Sequence, residues 1–412
     1  MKINGNYYLC TQLKTDAITF CMKKVLKYIF HLDHWLITLL AFAFVGLTYL
    51  VVINLSFLDP LAKSLKNVSM TDFFSQLAHK NSDVSQDVTI VDIKDEYNRG
   101  NLARALAKVD SLKPWVTGVD IVFGHMKGEP EDNMALFETA MNMSENTVWA
   151  FKMLDYDTGT KMYSGKLSSF FADTLGLREG FSNLDDNLEH STIRKMLTLE
   201  GKGDSLVRSF SVEVASVLDS LSLKPYTKLT VNFATKFNVV PIDSIDQYKE
   251  LITDHIVLVG STTDEADMWN TSIGKIPGVM LQAYSVETIR NHRDIRYVST
   301  WANLLIAFVL CYLFELIIDS GTRWLKRRKD SLSFFCSESY FARRMVTIIF
   351  FLIVTFVIAQ IFALKSIYFD AVLILVFLGF VLEARNYYNS AVKTLSRSHD
   401  WWILKNSLIH KS

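Results

Sequence analysis

Long apolar segments interrupt the chain in four places, and their lengths predict membrane-spanning helices. Such a helix needs a run of roughly 18–20 apolar residues, because the hydrocarbon core is about 30 Å thick and a helix rises about 1.5 Å per residue. By this criterion the spans are predicted at residues 35–58, 301–319, 345–364 and 366–384. The sequence therefore predicts a transmembrane bundle of four helices.

Between the first two spans, residues 59–300 alternate short apolar runs with runs of helical periodicity. Strands are predicted at Val88–Ile93, Trp115–Phe123, Thr147–Met153 and Ile256–Val259, and helical segments follow the first two of them. Strands that alternate with helices at these distances form right-handed crossover units. We therefore predict an α/β domain with a mainly parallel or mixed sheet that helices cover.

The remaining elements of this domain have weaker patterns. A juxtamembrane helix is predicted over Lys63–Lys80, and short strands around residues 193–199. The other expectations are a helix over Ser205–Leu218, a strand over Lys228–Phe233, a helix near Ser244–Leu251, and, after the strand at 256–259, a long polar loop that leads through Pro277 and Gly278 into a last helix.

Basic residues predict the orientation of the spans. Lysines concentrate in the leader, residues 1–34, and Lys and Arg crowd the loop 320–344 and recur in the tail 385–412. Since positively charged flanks remain in the cytoplasm, these three segments are predicted to be cytoplasmic and residues 59–300 extracytoplasmic. Of the acidic residues in the spans, Glu315 is the one expected to lie deep enough to need a partner.

Composition and motif content argue against several function classes. The formal net charge is zero, which implies no general nucleic-acid-binding surface. Residues 59–300 contain no cysteine, and the chain has no paired Cys or Cys/His spacing of a zinc site. It also lacks G-x-S-x-G and H-E-x-x-H motifs. We therefore expect a protein that is not an enzyme and has no metal and no cofactor.

Acidic residues occur at or just after the predicted strands, where open α/β sheets bind their ligands. The ligand-binding candidates of this kind are Asp92, Asp95, Glu96, Asp120, Asp264 and Asp267. The alternative for each is a structural role in capping or loop stabilisation, and this alternative stays open. The Gly260–Thr263 turn is a weak match to a phosphate-binding loop, because it lacks Gly-Lys-Ser/Thr and acidic residues follow it.

Several segments resemble, in order, those of the CHASE2 domain, an extracytoplasmic sensory domain of bacterial membrane receptors. The similar segments are Thr71-Asp72-Phe73-Phe74, VDIKDE at 91–96, VTGVDIVFGH at 116–125, GFSN at 180–183 with Ile193-Arg194, VNF at 231–233, and the run from Val257 to Ile289. The asparagine of the GFSN element, Asn183, joins the ligand-binding candidates. The resemblance also implies one span before the domain and three after it.

The chain departs from the family pattern in three places. Lys94 replaces an acidic residue, the segment after it is shortened to Tyr97–Arg99, and Gln282 replaces histidine. About thirty residues follow the last predicted span, fewer than a kinase or cyclase domain needs. From this we expect that any signal passes to a separate protein.

The resemblance implies a sensor of the bacterial cytoplasmic (inner) membrane that binds an environmental or envelope ligand and relays the signal through its spans. The expected partners are the lipid bilayer, the unknown ligand and a separate cytoplasmic or membrane protein, with a homodimer as a further alternative and no nucleic acid. A non-signalling envelope scaffold whose α/β domain binds another protein is the alternative function.

Overall fold

The computed structural model describes residues 22–53, 70–94, 96–184, 192–221, 224–328, 333, 339–396 and 407–408. The chain divides into two compact units. The α/β unit comprises Ser64–Tyr297 with Ile361–Tyr368, and the helical unit comprises Met1–Lys63, Val298–Gln360 and Phe369–Ser412.

Most strands of the α/β unit are short. In chain order they are β1 Val84–Asp92, β2 Val116–Val119, β3 Thr147–Asp157, β4 Met162–Leu167, β5 Glu179–Phe181, β6 Lys195–Leu197, β7 Leu199–Lys202, β8 Ser205–Arg208, β9 Lys228–Thr230, β10 Lys236–Pro241, β11 Ile256–Gly260, β12 Met268–Thr271, β13 Gly274–Pro277, β14 Arg296–Tyr297 and β15 Ile367–Tyr368.

The helices range from one turn to seven or more. They are α1 Leu32–Ile53, α2 Met70–Lys80, α3 Arg99–Ser111, α4 Pro130–Asn142, α5 Ala172–Leu175, α6 Phe210–Ser216, α7 Gly278–Arg290, α8 Thr300–Arg327, α9 Tyr340–Lys365 and α10 Ala371–Leu395. Two 3₁₀ segments, Ile242–Leu251 and Glu265–Asp267, complete the set of described helices.

A parallel sheet forms the centre of the α/β unit. Strands β10, β1, β11, β2 and β3 lie side by side in that order, and all these neighbours are parallel. Beyond β3 the sheet continues through β4, β7 and β8 with antiparallel β3–β4 and β7–β8 pairs, while β5 pairs with β3. The last strand to enter, β11, therefore lies between the first two.

Helices cover both faces of this sheet because apolar residues run continuously along its central strands. Val91 and Val259 contribute to the core beneath α3 and α4. Their neighbours Ile90 and Leu258 face the other way and contribute to the core beneath α6 and α7. Burial of each such side chain stabilises the fold by roughly 1.5–3 kcal/mol. The predicted fold class, a helix-covered and mainly parallel sheet with four helices apolar enough to span a membrane, is confirmed.

Two local predictions are wrong. Residues 205–218 do not form one helix: a turn at Gly203, which has a φ of +54°, brings Ser205–Arg208 back against β7, and the helix begins only at Phe210. The long loop before Gly278 contains a β-hairpin, in which β12 pairs with β13. The predicted helix over Lys63–Lys80 is described from Met70 onward, and its first part lies outside the described residues.

The helical unit contains four helices that are long and apolar enough to cross a membrane, which fits a membrane protein. Residues 22–29, predicted as part of the leader, are also helical. Helix α8 continues to Arg327, into the predicted loop 320–344, and α10 continues to Leu395, into the predicted tail. Residues 1–21, much of that loop and most of the chain after 396 lie outside the described residues.

A group of charged side chains lies buried in the helical unit. Arg385 of α10 is bonded to Glu315 of α8, which is 1% exposed, and its Nη2 lies 2.7 Å from Asp319 Oδ1. Tyr28 Oη donates to the other oxygen of Asp319 at 2.6 Å. The partner that Glu315 was expected to need is therefore Arg385, a residue that the sequence had suggested for the cytoplasmic tail.

The pair between Arg385 and Glu315 predicts a large stability loss when the arginine is removed. Arg385→Met leaves two buried carboxylates without their main counter-charge, and such a loss costs about 3–5 kcal/mol. The measurement is thermal unfolding of the full-length protein in detergent. Arg344→Met is the matched control, because the side chains of Arg344 and Glu383 are 36% and 31% exposed. Equal destabilisation by both variants would contradict the prediction.

Candidate functional site

A cleft opens at the carboxyl ends of the central strands. The segments that follow β1, β2 and β11 line it together with Lys152 of β3, and its volume is about 450 Å³. These four strands are neighbours and run parallel, so the segments leave the sheet at one edge. Open α/β sheets place their ligand sites at this edge, and the volume is in the range of about 300–1,000 Å³ typical of small-molecule sites.

Four of the predicted site residues line this cleft: Glu96, Asp120, Asp264 and Asp267. Asp92 and Asn183 do not line it, and Asp95 lies outside the described residues.

Asp92 and Asn183 make contacts that hold the sheet edge together. Asp92 Oδ1 accepts hydrogen bonds of 2.9 Å from the backbone N–H groups of Lys94 and Thr262, and so ties the end of β1 to the segment after β11. Asn183 pairs with the backbone of Met153 on β3, through bonds of 2.7 and 2.9 Å. Both side chains therefore make structural contacts at the sheet edge, and their prediction as ligand-binding residues stays a prediction.

Glu96 and Asp264 line the cleft but are engaged by their own loops. Glu96 accepts from Asn98 N and from Asn101 Nδ2, each at 2.8 Å, at the start of α3. Asp264 caps the 3₁₀ turn through a 2.9 Å bond from Ala266 N. Bonds of this kind fix the loop conformation and satisfy part of each carboxylate.

Asp267 directly precedes β12 and lies beside the first residue of α7, Gly278. Its Oδ1 accepts from Trp269 Nε1 at 2.9 Å, and a β-carbon added to Gly278 would lie 2.2 Å from its Oδ2. The absence of a side chain at Gly278 therefore leaves the space in which this carboxylate sits, at the N-terminal end of α7. The positive end of the helix dipole favours an anion there.

Asp120 lies at the end of β2, where its backbone N–H donates to Val259 O at 2.9 Å. Its carboxyl is partly exposed in the cleft and makes no side-chain hydrogen bond within the described residues. Burial raises the pKa of Asp120 to about 7, the negative charge of Asp267 adds to the increase, and Lys152 opposes it. This carboxyl is therefore held in an unfavourable environment for its ionised form.

Basic side chains also line the cleft. Lys152 Nζ lies 3.4 Å from Ser182 O. Arg99 is bonded to Asn133 and to the backbone oxygen of His125, and its guanidinium lies 5.6 and 5.4 Å from the ring centroids of Phe123 and Phe170. The cleft is therefore lined by both acidic and basic side chains. The described residues contain no group of three His, Cys, Asp or Glu side chains that could hold a metal ion.

The sequence analysis named Gln282 only as a departure from the family pattern and did not predict it as a site residue, and it missed the β12–β13 hairpin. Gln282 of α7 lines the cleft although it is only 6% exposed, and its amide makes no hydrogen bond in the part of the chain described. One helical turn separates it from Gly278. Gly274, which has a φ of +117° in the turn between β12 and β13, was the signal that the polar loop folds back on itself.

The hairpin connects the cleft edge to the juxtamembrane helix α2. Ser272, in its turn, donates to Asp72 Oδ1 at 2.7 Å and accepts from Gln76 Nε2 through its backbone oxygen at 3.1 Å. Asp72 is also held by Arg194, whose Nε and Nη2 lie 2.8 and 2.6 Å from its two oxygens. Three segments distant in sequence therefore converge on one carboxylate.

The raised pKa of Asp120 predicts a pH-dependent gain in stability on its neutralisation. Between about pH 4 and 7 the folded protein holds a proton that the unfolded chain releases, so the free energy of unfolding falls as the pH rises. Asp120→Asn removes this cost. We expect it to stabilise the protein by on the order of 1–3 kcal/mol at pH 8, and not at pH 4.

Thermal unfolding of the full-length protein across this pH range measures the effect. Asp246→Asn is the control, because Asp246 is an exposed carboxylate that pairs with Lys108. An Asp120→Asn protein less stable than the parent at pH 8 would overturn the assignment.

Comparison with known proteins gives a family match that covers most of the chain. The family model for the CHASE2 domain matches residues 37–316. No curated protein and no solved structure matches the chain. The matched residues include the whole parallel sheet, the cleft and the contacts of Asp72. The chain therefore belongs to the CHASE2 family of sensory domains.

Proposed function

We propose that this protein is a membrane-anchored sensor whose α/β unit binds a small ligand in the cleft and relays its presence to the membrane helices. One observation carries the proposal: the β12–β13 hairpin follows Asp267 at the cleft directly and holds Asp72 of α2 through the turn residue Ser272. A ligand that displaces Asp267 acts on an element already bonded to the juxtamembrane helix.

The hairpin gives the first route from the cleft. Asp267 is fixed to Trp269 of β12, and β12 and β13 are paired over their full length. At the turn, Ser272 and Arg194 together hold Asp72. Charge-assisted bonds of this kind are short and directional, so a shift of the hairpin moves α2 with it. The chain leads from α2 back towards α1.

Helix α7 gives the second route. It begins at Gly278 beside Asp267 and carries Gln282 into the cleft wall. Near its other end, Thr288 Oγ1 accepts from the backbone N–H of Asn232 at 3.0 Å, and Asn232 Nδ2 lies 2.9 Å from Ser366 Oγ. Ser366 connects α9 to α10, so this route ends at the link between two apolar helices.

A ligand changes such a system only if it binds one arrangement more tightly than the other. The cleft meets this requirement when one ligand contacts Asp120, which follows β2 of the sheet, and also contacts either Asp267, which directly precedes the hairpin, or Gln282 of α7. Ligand binding then stabilises one position of the hairpin and α7.

We place the α/β unit outside the bacterial cytoplasmic membrane, in agreement with the basic residues of 1–34 and 320–344. The output reaches a separate membrane or cytoplasmic protein, or a second copy of the chain, and the protein has no enzymatic activity of its own.

Gly278→Ala tests the coupling without a ligand, because the new methyl group overlaps the Asp267 carboxylate. We expect faster amide hydrogen exchange in residues 268–277 and 70–80, by roughly twofold to thirtyfold, which corresponds to a coupling of about 0.5–2 kcal/mol. The measurement uses the full-length protein in lipid nanodiscs. Gly159→Ala is the control, since its nearest neighbour there is Asp157 Oδ1 at 3.3 Å.

A change confined to residues 268–277 would show that the hairpin does not pass movement to α2, and the relay proposal would fail. A panel of amines, organic acids, sugars and nucleosides tests ligand binding separately, through the thermal unfolding midpoint. If none of them raises the midpoint and Gly278→Ala leaves α2 unchanged, the scaffold function becomes the better explanation.

A further inference from the structure

Three polar side chains that line the cleft have incomplete hydrogen bonding within the described residues. Asp120 makes no side-chain hydrogen bond among the described residues, Asp267 has one carboxylate oxygen bonded to Trp269, and the amide of Gln282 is unpartnered although the residue is 6% exposed. Buried polar groups in native proteins nearly always have partners, so the unpartnered amide of the buried Gln282, in a cavity that two half-buried carboxylates also line, indicates a missing ligand.

The charges define which ligand fits. Asp120 and Asp267 interact unfavourably with each other, and Lys152, the basic residue that eases this repulsion, has its Nζ 3.4 Å from Ser182 O. A bound anion would add to the negative charge of the pair. A metal ion does not fit, because the described residues contain no group of three His, Cys, Asp or Glu side chains placed to hold one. A positively charged organic group satisfies the pair.

The hydrogen-bond acceptors of the cleft indicate which kind of positively charged group fits. An ammonium group –NH₃⁺ has three donors and no acceptor. Among the described residues, the acceptors free for it lie on three side chains: both carboxylate oxygens of Asp120, Oδ2 of Asp267 and the amide oxygen of Gln282. We propose that the cleft binds a small molecule through its primary ammonium group, which donates one hydrogen bond to each of these three residues. This inference rests on the proposed ligand-binding function of the cleft.

The remainder of the cleft suits the rest of such a molecule. Ile93, Leu102, Ile121 and Val122 supply apolar wall, and the total volume of about 450 Å³ accommodates a small organic molecule. Glu96 and Asp264 line the same cleft, but each has part of its carboxylate engaged by its own loop.

The test uses the full-length protein in nanodiscs, in an amine-free buffer at pH 8, where the carboxyl of Asp120 is ionised because its pKa is about 7. The probes are n-butylamine and 1,4-diaminobutane. Butane-1,4-diol has no charge, tetramethylammonium has the charge without N–H donors, and succinate has the opposite charge. We expect only the two amines to raise the unfolding midpoint in a saturable manner.

The variants locate the site. Asp120→Asn keeps an acceptor oxygen but removes the negative charge opposite the ammonium group, and we expect amine binding to weaken by about tenfold. Gln282→Leu, which keeps the side-chain volume, weakens it by a few-fold, and Asp246→Asn leaves it unchanged. Because Asp120→Asn is expected to be more stable than the parent at this pH, its loss of binding does not reflect unfolding.

Two results would overturn the proposal. Equal responses to the amines and tetramethylammonium would show that charge alone is recognised, and amine binding that survives Asp120→Asn would place the amine elsewhere. If succinate or the diol stabilises the protein instead, and Lys152→Met abolishes that effect, the ammonium assignment is wrong while the ligand-binding function of the cleft stands.

Discussion

The parallel pairing of β1, β11, β2 and β3 is the constraint on which the site depends. Parallel strands place their carboxyl ends at one edge, and each crossover returns the chain over a face of the sheet. Because β11 enters between β1 and β2, the segment after it is brought beside segments that precede it by more than 130 residues. This strand order brings Asp120 and Asp267 to the same cleft.

Sequence patterns were sufficient for the central elements. The continuous apolar runs that end at Ile93 and Val259 predicted buried strands, and these strands occur close to the expected positions. The patterns failed where the secondary structure of a segment depends on the strand with which it pairs. Leu206 is as compatible with a helix as with a strand, and only the presence of β7 beside it, after the turn at Gly203, decides for the strand.

The same limit applied to the site. Its edge and four of its acidic residues followed from the strand ends, but the separation of Asp92 from Asp120 did not. Both residues lie at the end of a strand, yet the Asp92 carboxylate is bonded to the backbone of Lys94 and Thr262, while the Asp120 carboxyl has no hydrogen bond among the described residues. Side-chain partners of this kind depend on loop conformation, which apolar periodicity does not encode.

The packing of residues 361–368 within the α/β unit affects where this domain can be cut from the chain. Residues 361–368 pack within the α/β unit, where β15 pairs with β14, and the ring of Phe74 lies 5.7 Å from that of Phe362. A recombinant fragment cut at residues 70 and 297 would lack this segment and would expose Phe74, which is 1% exposed in the intact chain. Fusing the 361–368 peptide behind a short linker would restore the strand pair and the cover of Phe74.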